Sequence, residues 1–204
     1  MGEARSAAVL IDLHCHTLPL SSCSGLTADA LVALAKERGL DGVCLTEHDR
    51  VWPRDELAAL RERTGLLVLS GVEYSTDVGH VLAYGLEPGN ASLALAADLF
   101  ALAQEQGALL FLAHPARDGL LRVNHDTVTW FESVEAINGS DSRLQNMAAT
   151  GLAHGFRLPG IGGSDAHSRA EVGRAATRFE ATINDEGSLV AALRSAAYQA
   201  VHLE

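Results

Sequence analysis

Three short runs combine the residue types that bind divalent cations: Asp12-Leu13-His14-Cys15-His16, Thr46-Glu47-His48-Asp49 and Ser164-Asp165-Ala166-His167. Each lies at the end of an apolar, β-rich stretch. His14 and His16 are two apart, as are Asp165 and His167, and on a strand that spacing turns both side chains to one face. Imidazole and carboxylate together form the ligand set of Zn²⁺, Mn²⁺ or Fe²⁺ sites. A lone His-x-His pair is equally compatible with satisfied core or surface histidines. Three such runs, each at a strand end, point to a metallohydrolase.

The elements that must position these residues alternate along the chain. Residues 9–13 read as a first strand, followed by a helix over 27–38 with Thr27 as N-cap, Leu31, Leu34 and Ala35 as its apolar stripe, and Gly39 beyond its end. Further strands are expected at 42–46, 66–72 (ending in Glu73), 81–84, 108–113, 133–137 and 158–161, with helices over 54–63 and 92–106 and a last strand and helix within 175–197. Repeated strand–helix units predict an α/β fold with a parallel sheet covered by helices. His14/His16, His48, Glu73, His114, Asn138 and Asp165/His167 all follow strands, and a βα barrel keeps its active site at those C-terminal strand ends. A doubly wound sheet would concentrate its ligands at one switch point. Glu73 and His80 are only seven apart, so for both to reach one site the chain must turn sharply around residues 75–79. That predicts a distorted barrel. With no internal repeat or linker, the whole chain, 1–204, reads as one domain.

Composition narrows the partners. A net charge of −11 with no basic run argues against an extended nucleic-acid surface, but not against a phosphorylated substrate, because bound cations reverse the sign of a pocket. No stretch approaches the ~20 apolar residues of a membrane span, and residues 1–9 lack the apolar region of a signal peptide. Cys15, Cys23 and Cys44 are odd in number with no C-x-x-C, which fits reduced thiols in a cytoplasmic protein. Strand alternation turns Cys15 away from His14 and His16, towards covering helices.

The ordered set of Asp12-Leu13-His14-Cys15-His16, Thr46-Glu47-His48-Asp49, Gly71-Val72-Glu73, Gly79-His80-Val81-Leu82, Ala113-His114-Pro115, Val134-Glu135-Ala136-Ile137-Asn138 and Gly163-Ser164-Asp165-Ala166-His167 resembles the PHP family (polymerase and histidinol phosphatase). The resemblance runs from about residue 10 to the C-terminus. It implies a distorted (β/α)7 barrel with two or three divalent metals (Mn, Zn or Fe) and phosphoester hydrolysis. Carried over by position, it implies that His14, His16, Glu73 and Asp165 surround a first metal, and that Glu73 bridges to a second held by His80 and His114. In the family a third site uses the residues matching His48 and His167 and an aspartate shortly after the first motif. Here residues 13–28 contain no acidic residue, so two firm metals are expected and the third position is the departure. Glu47 stands where the family has aspartate.

A carboxylate bridging two cations sets them ~3.5–4 Å apart, where they share a hydroxide and clamp a phosphoryl group. Asp165 completes that centre, and His48 or His167 is available to protonate the leaving alkoxide. Asp12 is a candidate acceptor for one imidazole, with capping of the barrel rim as the alternative. Arg117 and Asn138 are candidate substrate contacts, Arg117 because a guanidinium suits bidentate oxyanion binding. Arg143 and Asn146 are weaker candidates. His125, His154 and His202 are read as structural. The expected activity is hydrolysis of a small phosphomonoester, such as a nucleotide. The alternatives are a nuclease acting on nucleic-acid ends and a non-catalytic metal-stabilised module.

Overall fold

The computed structural model describes residues 8–87, 93–117 and 124–203. In chain order these form β1 (Val9–Cys15), α1 (Ala28–Glu37), β2 (Gly42–Leu45), α2 (Arg54–Thr64), β3 (Leu67–Thr76), β4 (Gly79–Tyr84), α3 (Ala96–Gln106), β5 (Leu109–Leu112), a 3₁₀ turn (Val128–Trp130), β6 (Ser133–Asn138), α4 (Arg143–Ala153), β7 (Ile161–Gly163), β8 (Ala175–Phe179), α5 (Glu186–Arg194) and β9 (Tyr198–His202). Helix α1 starts where its cap chemistry dictates: the Thr27 hydroxyl accepts the Ala30 N–H at 3.3 Å. Gly39 beyond its end adopts the left-handed φ of +76° that favours glycine.

The strands form one sheet in the order β7-β6-β5-β4-β3-β2-β1-β8-β9. β1, β2 and β3 run parallel, as do β5, β6 and β7. β4 is antiparallel to both β3 and β5, and β8 is antiparallel to β1 and β9. The expectation of a parallel sheet is therefore corrected to a mixed one. The reason is connection length, since only Asp77 and Val78 separate β3 from β4 and a parallel crossover needs a dozen or more residues. The sharp turn expected around 75–79 is this hairpin, and it pairs Glu73 with Leu82 and Ser75 with His80. Among the described residues helices follow β1, β2, β4, β6 and β8 only.

The sheet rolls to near closure, and β7 meets β1 without a regular ladder. The Asp165 N–H donates to His14 O at 2.6 Å, the Ser164 N–H donates to Asp12 Oδ1 at 2.8 Å, and the Gly162 N–H donates to Thr177 Oγ1 at 2.8 Å. The approach is so close that a Cβ on Gly163 would lie 2.4 Å from His14 Cβ. Glycine is required there because any side chain would force apart the strand ends that carry the site.

Inside the barrel Ile11, Leu13, Leu69, Leu82, Tyr84, Phe111, Ile161 and Phe179 form one apolar cluster, closed below by Leu189 and Leu193 of α5. Outside, α1 and α2 cover β1 and β2, with Leu31, Val32, Leu57 and Leu60 against Val43 and Leu45. Cys15 faces this outer cluster, as strand alternation predicts. Leu99 and Ala103 of α3 cover Val72, Tyr74, Val81 and Leu112. Each side chain of this size stabilises the fold by ~1.5–3 kcal/mol when buried, and that layered core is what holds the loops above it. No helix among the described residues is long and apolar enough to cross a membrane.

Candidate metal centre

Polar side chains gather where the parallel strands end. His14 and His16 come from the end of β1, His48 from the loop after β2, Glu73 from β3, His80 from the start of the reversed β4, His114 from the end of β5, and Asp165 and His167 from the loop after β7. Glu73 is buried at their centre, and its two oxygens face different partners. Oε2 lies 3.3 Å from His14 Nε2, 3.1 Å from His16 Nε2 and 3.2 Å from His48 Nδ1. Oε1 lies 2.9 Å from His80 Nδ1 and 3.0 Å from His114 Nε2. Asp165 Oδ1 approaches the first group, 3.5 Å from His14 Nε2 and 3.3 Å from His16 Nε2.

Five imidazoles around one carboxylate are more than hydrogen bonding requires. His48 Nδ1 is buried with no hydrogen-bond partner although it lies 3.2 Å from Glu73 Oε2. Among the described residues three groups hold their ligand atoms within 4.8 Å of one another: His14, His16 and Glu73; His48, Glu73 and His80; and His16, His48 and His167. The donor set is nitrogen and carboxylate oxygen, the set expected for zinc, manganese or iron. The residues fit a divalent metal.

Known proteins share this architecture. Residues 143–198 match the family model described as PHP-associated. A two-domain protein from Bacteroides vulgatus, containing a predicted PHP-like metal-dependent phosphoesterase, superposes with a TM-score of 0.72 at 22% identity over 97% of this chain. The fold is that of a PHP-like protein. The chain spans 65% of the Bacteroides protein. PsfC from Pseudomonas syringae gives a TM-score of 0.70 at 19% identity, covering 97% of this chain and 92% of its own. An amidohydrolase from Chromobacterium violaceum, solved with sulfate and without metal, gives 0.60 at 19% identity over 79% of this chain and 89% of its own. At these identities the likeness is one of fold. No curated protein sequence matches.

A second layer of groups holds the inner ones. His14 Nδ1 is 2.9 Å from Glu135 Oε1. Glu135 Oε2 accepts the His114 N–H and the Asn138 Nδ2–H, each at 2.9 Å. In the sequence Glu135 stands out only as part of a motif, since its contact with His14 spans 121 residues. Asp12, a candidate acceptor for an imidazole, instead takes the backbone N–H of His14 at 3.2 Å and of Ser164 at 2.8 Å. The register shift between Asp12 and Cys15 accompanies this change of role. Ser21 Oγ, in the stretch without acidic residues, accepts the His48 N–H at 3.2 Å and lies 3.4 Å from His16 Nδ1. Glu47 is buried and accepts from Thr17 N at 2.8 Å and Trp52 Nε1 at 2.8 Å, tying the first two site loops together.

Asn138 and Arg117 act on Asp165. Arg117 donates through Nη2 to Asp165 Oδ2 at 2.6 Å and Asn138 Oδ1 at 3.1 Å, and through Nε to Asp141 Oδ1 at 2.7 Å. Asn138 is fully buried. Its Nδ2 donates to Glu135 and, at 3.3 Å, to Asp165 Oδ2, and its Oδ1 accepts from Ser140 N and Arg117. The expectation that Asn138 contacts substrate is corrected on this ground, because its amide is already engaged beneath the surface. Asn146 pins the Asn138 backbone, accepting its N–H at 2.8 Å and donating to its O at 2.9 Å. His125 is fully exposed and lies outside the site.

Charges follow from this packing. Burial pushes the Glu73 carboxyl up, but His14, His114 and His16 outweigh it and hold it well below the usual carboxylate range. Asp165 is likewise held low by His14, His16 and Arg117 against its burial. Burial lowers His48 to about 4, although Glu73 opposes the shift, so this ring is neutral near pH 7. Asp49, Asp165 and His114, all in loops that follow site strands, adopt left-handed φ of 56°, 52° and 28°. Such backbone is strained for non-glycine residues and persists only where surrounding contacts impose it.

The group of His16, His48 and His167 contains no carboxylate. The rings of His48 and His167 stack on His16 at centroid distances of 4.4 and 4.5 Å. The Asp49 carboxylate takes the Ser75 N–H at 3.2 Å instead, and Cys23 is exposed and in none of the three groups.

Proposed function

We propose that the chain is a metal-dependent phosphoesterase acting on a small phosphomonoester, with His14, His16, Glu73 and Asp165 holding one cation and Glu73, His80 and His114 a second. The observation that carries this reading is the division of the Glu73 oxygens, Oε2 towards His14, His16 and His48 and Oε1 towards His80 and His114. When bound, such a pair of cations acidifies water and neutralises charge on phosphoryl oxygens.

The chain's own residues do the rest. Asp165 presents Oδ1 to the histidines because Arg117 and Asn138 hold Oδ2. Burial keeps His48 neutral near pH 7, so we assign it a contact with the substrate at the rim rather than the role of acid. Protonation of the leaving oxygen then falls to His167, whose side chain is 30% exposed and whose Nδ1 is fixed 3.0 Å from Asp165 O. Arg117 is 32% exposed and engages the site through Nε and Nη2, so we assign its Nη1 to a substrate oxyanion. The acidic chain favours a small ligand over an extended nucleic acid.

The test is a screen of phosphomonoesters, phosphodiesters and short oligonucleotides with protein loaded separately with Mn²⁺, Zn²⁺ and Fe²⁺. Turnover confined to monoesters is expected. Release of nucleotides from oligonucleotide ends would favour a nuclease, and absence of turnover with every metal would favour a non-catalytic module.

A further inference from the structure

We infer that Glu135 is a positioning residue serving both sides of Glu73 at once, an inference that rests on reading the centre as metal-binding. Its side chain is fully buried, and its two oxygens meet three donors from three different strand ends. Oε1 faces His14 Nδ1 at 2.9 Å, and Oε2 accepts His114 N and Asn138 Nδ2, each at 2.9 Å.

The chemistry of these contacts is directional. A carboxylate has only acceptors, so His14 Nδ1 must carry the proton. The tautomer thus fixed leaves the Nε2 lone pair for a cation, at a point ringed by His16 Nε2 at 3.0 Å, Glu73 Oε2 at 3.3 Å and Asp165 Oδ1 at 3.5 Å. The second oxygen acts on backbone. His114 sits at a φ of +28°, and Glu135 takes the N–H of that strained residue, whose Nε2 then reaches Glu73 Oε1 at 3.0 Å. The third contact continues through Asn138 Nδ2 to Asp165 Oδ2 at 3.3 Å. Glu135 therefore orients His14 on one side of Glu73, His114 on the other, and steadies Asp165.

Glu135→Gln keeps the shape and removes this logic. Whichever way the amide turns, its N–H either drives the proton of His14 from Nδ1 to Nε2 or meets the His114 and Asn138 donors. In calorimetric titration with Zn²⁺ alone, both binding steps should weaken, by about 10–100-fold each, the usual cost of losing such an outer partner. In Zn²⁺-loaded wild-type protein labelled with ¹⁵N-histidine, His14 should show a proton on Nδ1 and a metal-shifted Nε2. Glu135→Asp retains the acceptor charge and should recover part of the affinity.

Wild-type Zn²⁺ binding with unchanged affinity for both ions in Glu135→Gln overturns the inference, as does weakening of one step only. A wild-type His14 protonated on Nε2 overturns it even if the variant fails to fold. Failure of the wild type to bind Zn²⁺ at all would instead overturn the metal-centre reading beneath it.

Discussion

The floor of the centre and its rim are built differently. On the floor, His14 and His16 are 0% exposed, Glu73 1% and Asp165 3%. Three of them are held by a further group: Glu135 behind His14, Ser21 beside His16, Arg117 and Asn138 behind Asp165. On the rim, the side chains of His48, His80 and His167 are 29%, 38% and 30% exposed. His48 Nδ1 has no hydrogen-bond partner. A dry, braced floor loses little side-chain entropy when it takes a cation, and its charges act in a low local dielectric. A wet rim leaves room for a substrate to reach the ion. The same residue types thus divide into retention below and access above.

Glu73→Gln attacks the group common to both regions and carries the largest expected effect. Loss of the shared charge should lower metal content and turnover together, with activity falling about a thousandfold, several kcal/mol of transition-state stabilisation. Elemental analysis alongside an assay checks this, and a variant that keeps both ions and the wild-type rate would remove Glu73 from its assigned place.

The floor and rim separate in the next pair. His14→Ala should lower metal content and reduce turnover about a hundredfold, since it strips a ligand from the braced side. His48→Ala should impair turnover more than it changes metal content. If the two variants lose metal equally, the distinction between retention and access fails.

Much of this division was legible in the sequence because chemistry at short spacing is readable. The His14/His16 and Asp165/His167 pairs follow from strand period, Thr27 and Gly39 mark the ends of α1, and the seven-residue interval from Glu73 to His80 forces the hairpin. What was not legible depends on distance or on backbone without propensity. Strand β7 lies at Ile161–Gly163 rather than at 158–161, because Gly162 and Gly163 are placed by the close approach of His14 and Ala176 and not by β-preference. Strand β9, Tyr198–His202, has mostly part-exposed residues and carries no clean alternation, so no pattern in the sequence marks it. Helix α3 begins at Ala96 rather than near 92, and residue 92 lies outside the described residues. The bracing by Glu135 and Arg117 joins positions far apart in the chain, 121 residues from His14 to Glu135 and 48 from Arg117 to Asp165, and no local pattern encodes it.

Beneath the floor, Asp12 tests how dry that region is. Burial raises its carboxyl from 3.8 to about 6 against the hydrogen bonds from Ser164 and His14, and Oδ2 has no partner. A carboxyl with a raised folded pKa loses stability as pH rises from its unfolded value through its folded one. Between pH 4 and pH 8 the unfolding free energy of metal-free wild type should therefore fall by about 2–3 kcal/mol relative to Asp12→Asn, two pKa units at ~1.4 kcal/mol each. Denaturant titrations at the two pH values measure this, and parallel behaviour of the two proteins would mean that water reaches Asp12. Arg117→Ala is expected to have the smallest effect. It leaves Asp165 Oδ2 with Asn138 alone and should weaken floor metal affinity about tenfold, as read by competition with a chelator. Unchanged affinity would assign the Arg117 contact to the rim.

The most direct measurement of the central claim is anomalous diffraction from crystals of Zn²⁺-loaded, phosphate-free protein, collected above and below the zinc edge. Two full-occupancy peaks are expected, one beside Glu73 Oε2 among His14, His16 and Asp165 and one beside Oε1 between His80 and His114, with weak or no density among His16, His48 and His167. A single peak, peaks away from Glu73, or a third fully occupied position without phosphate would contradict the account.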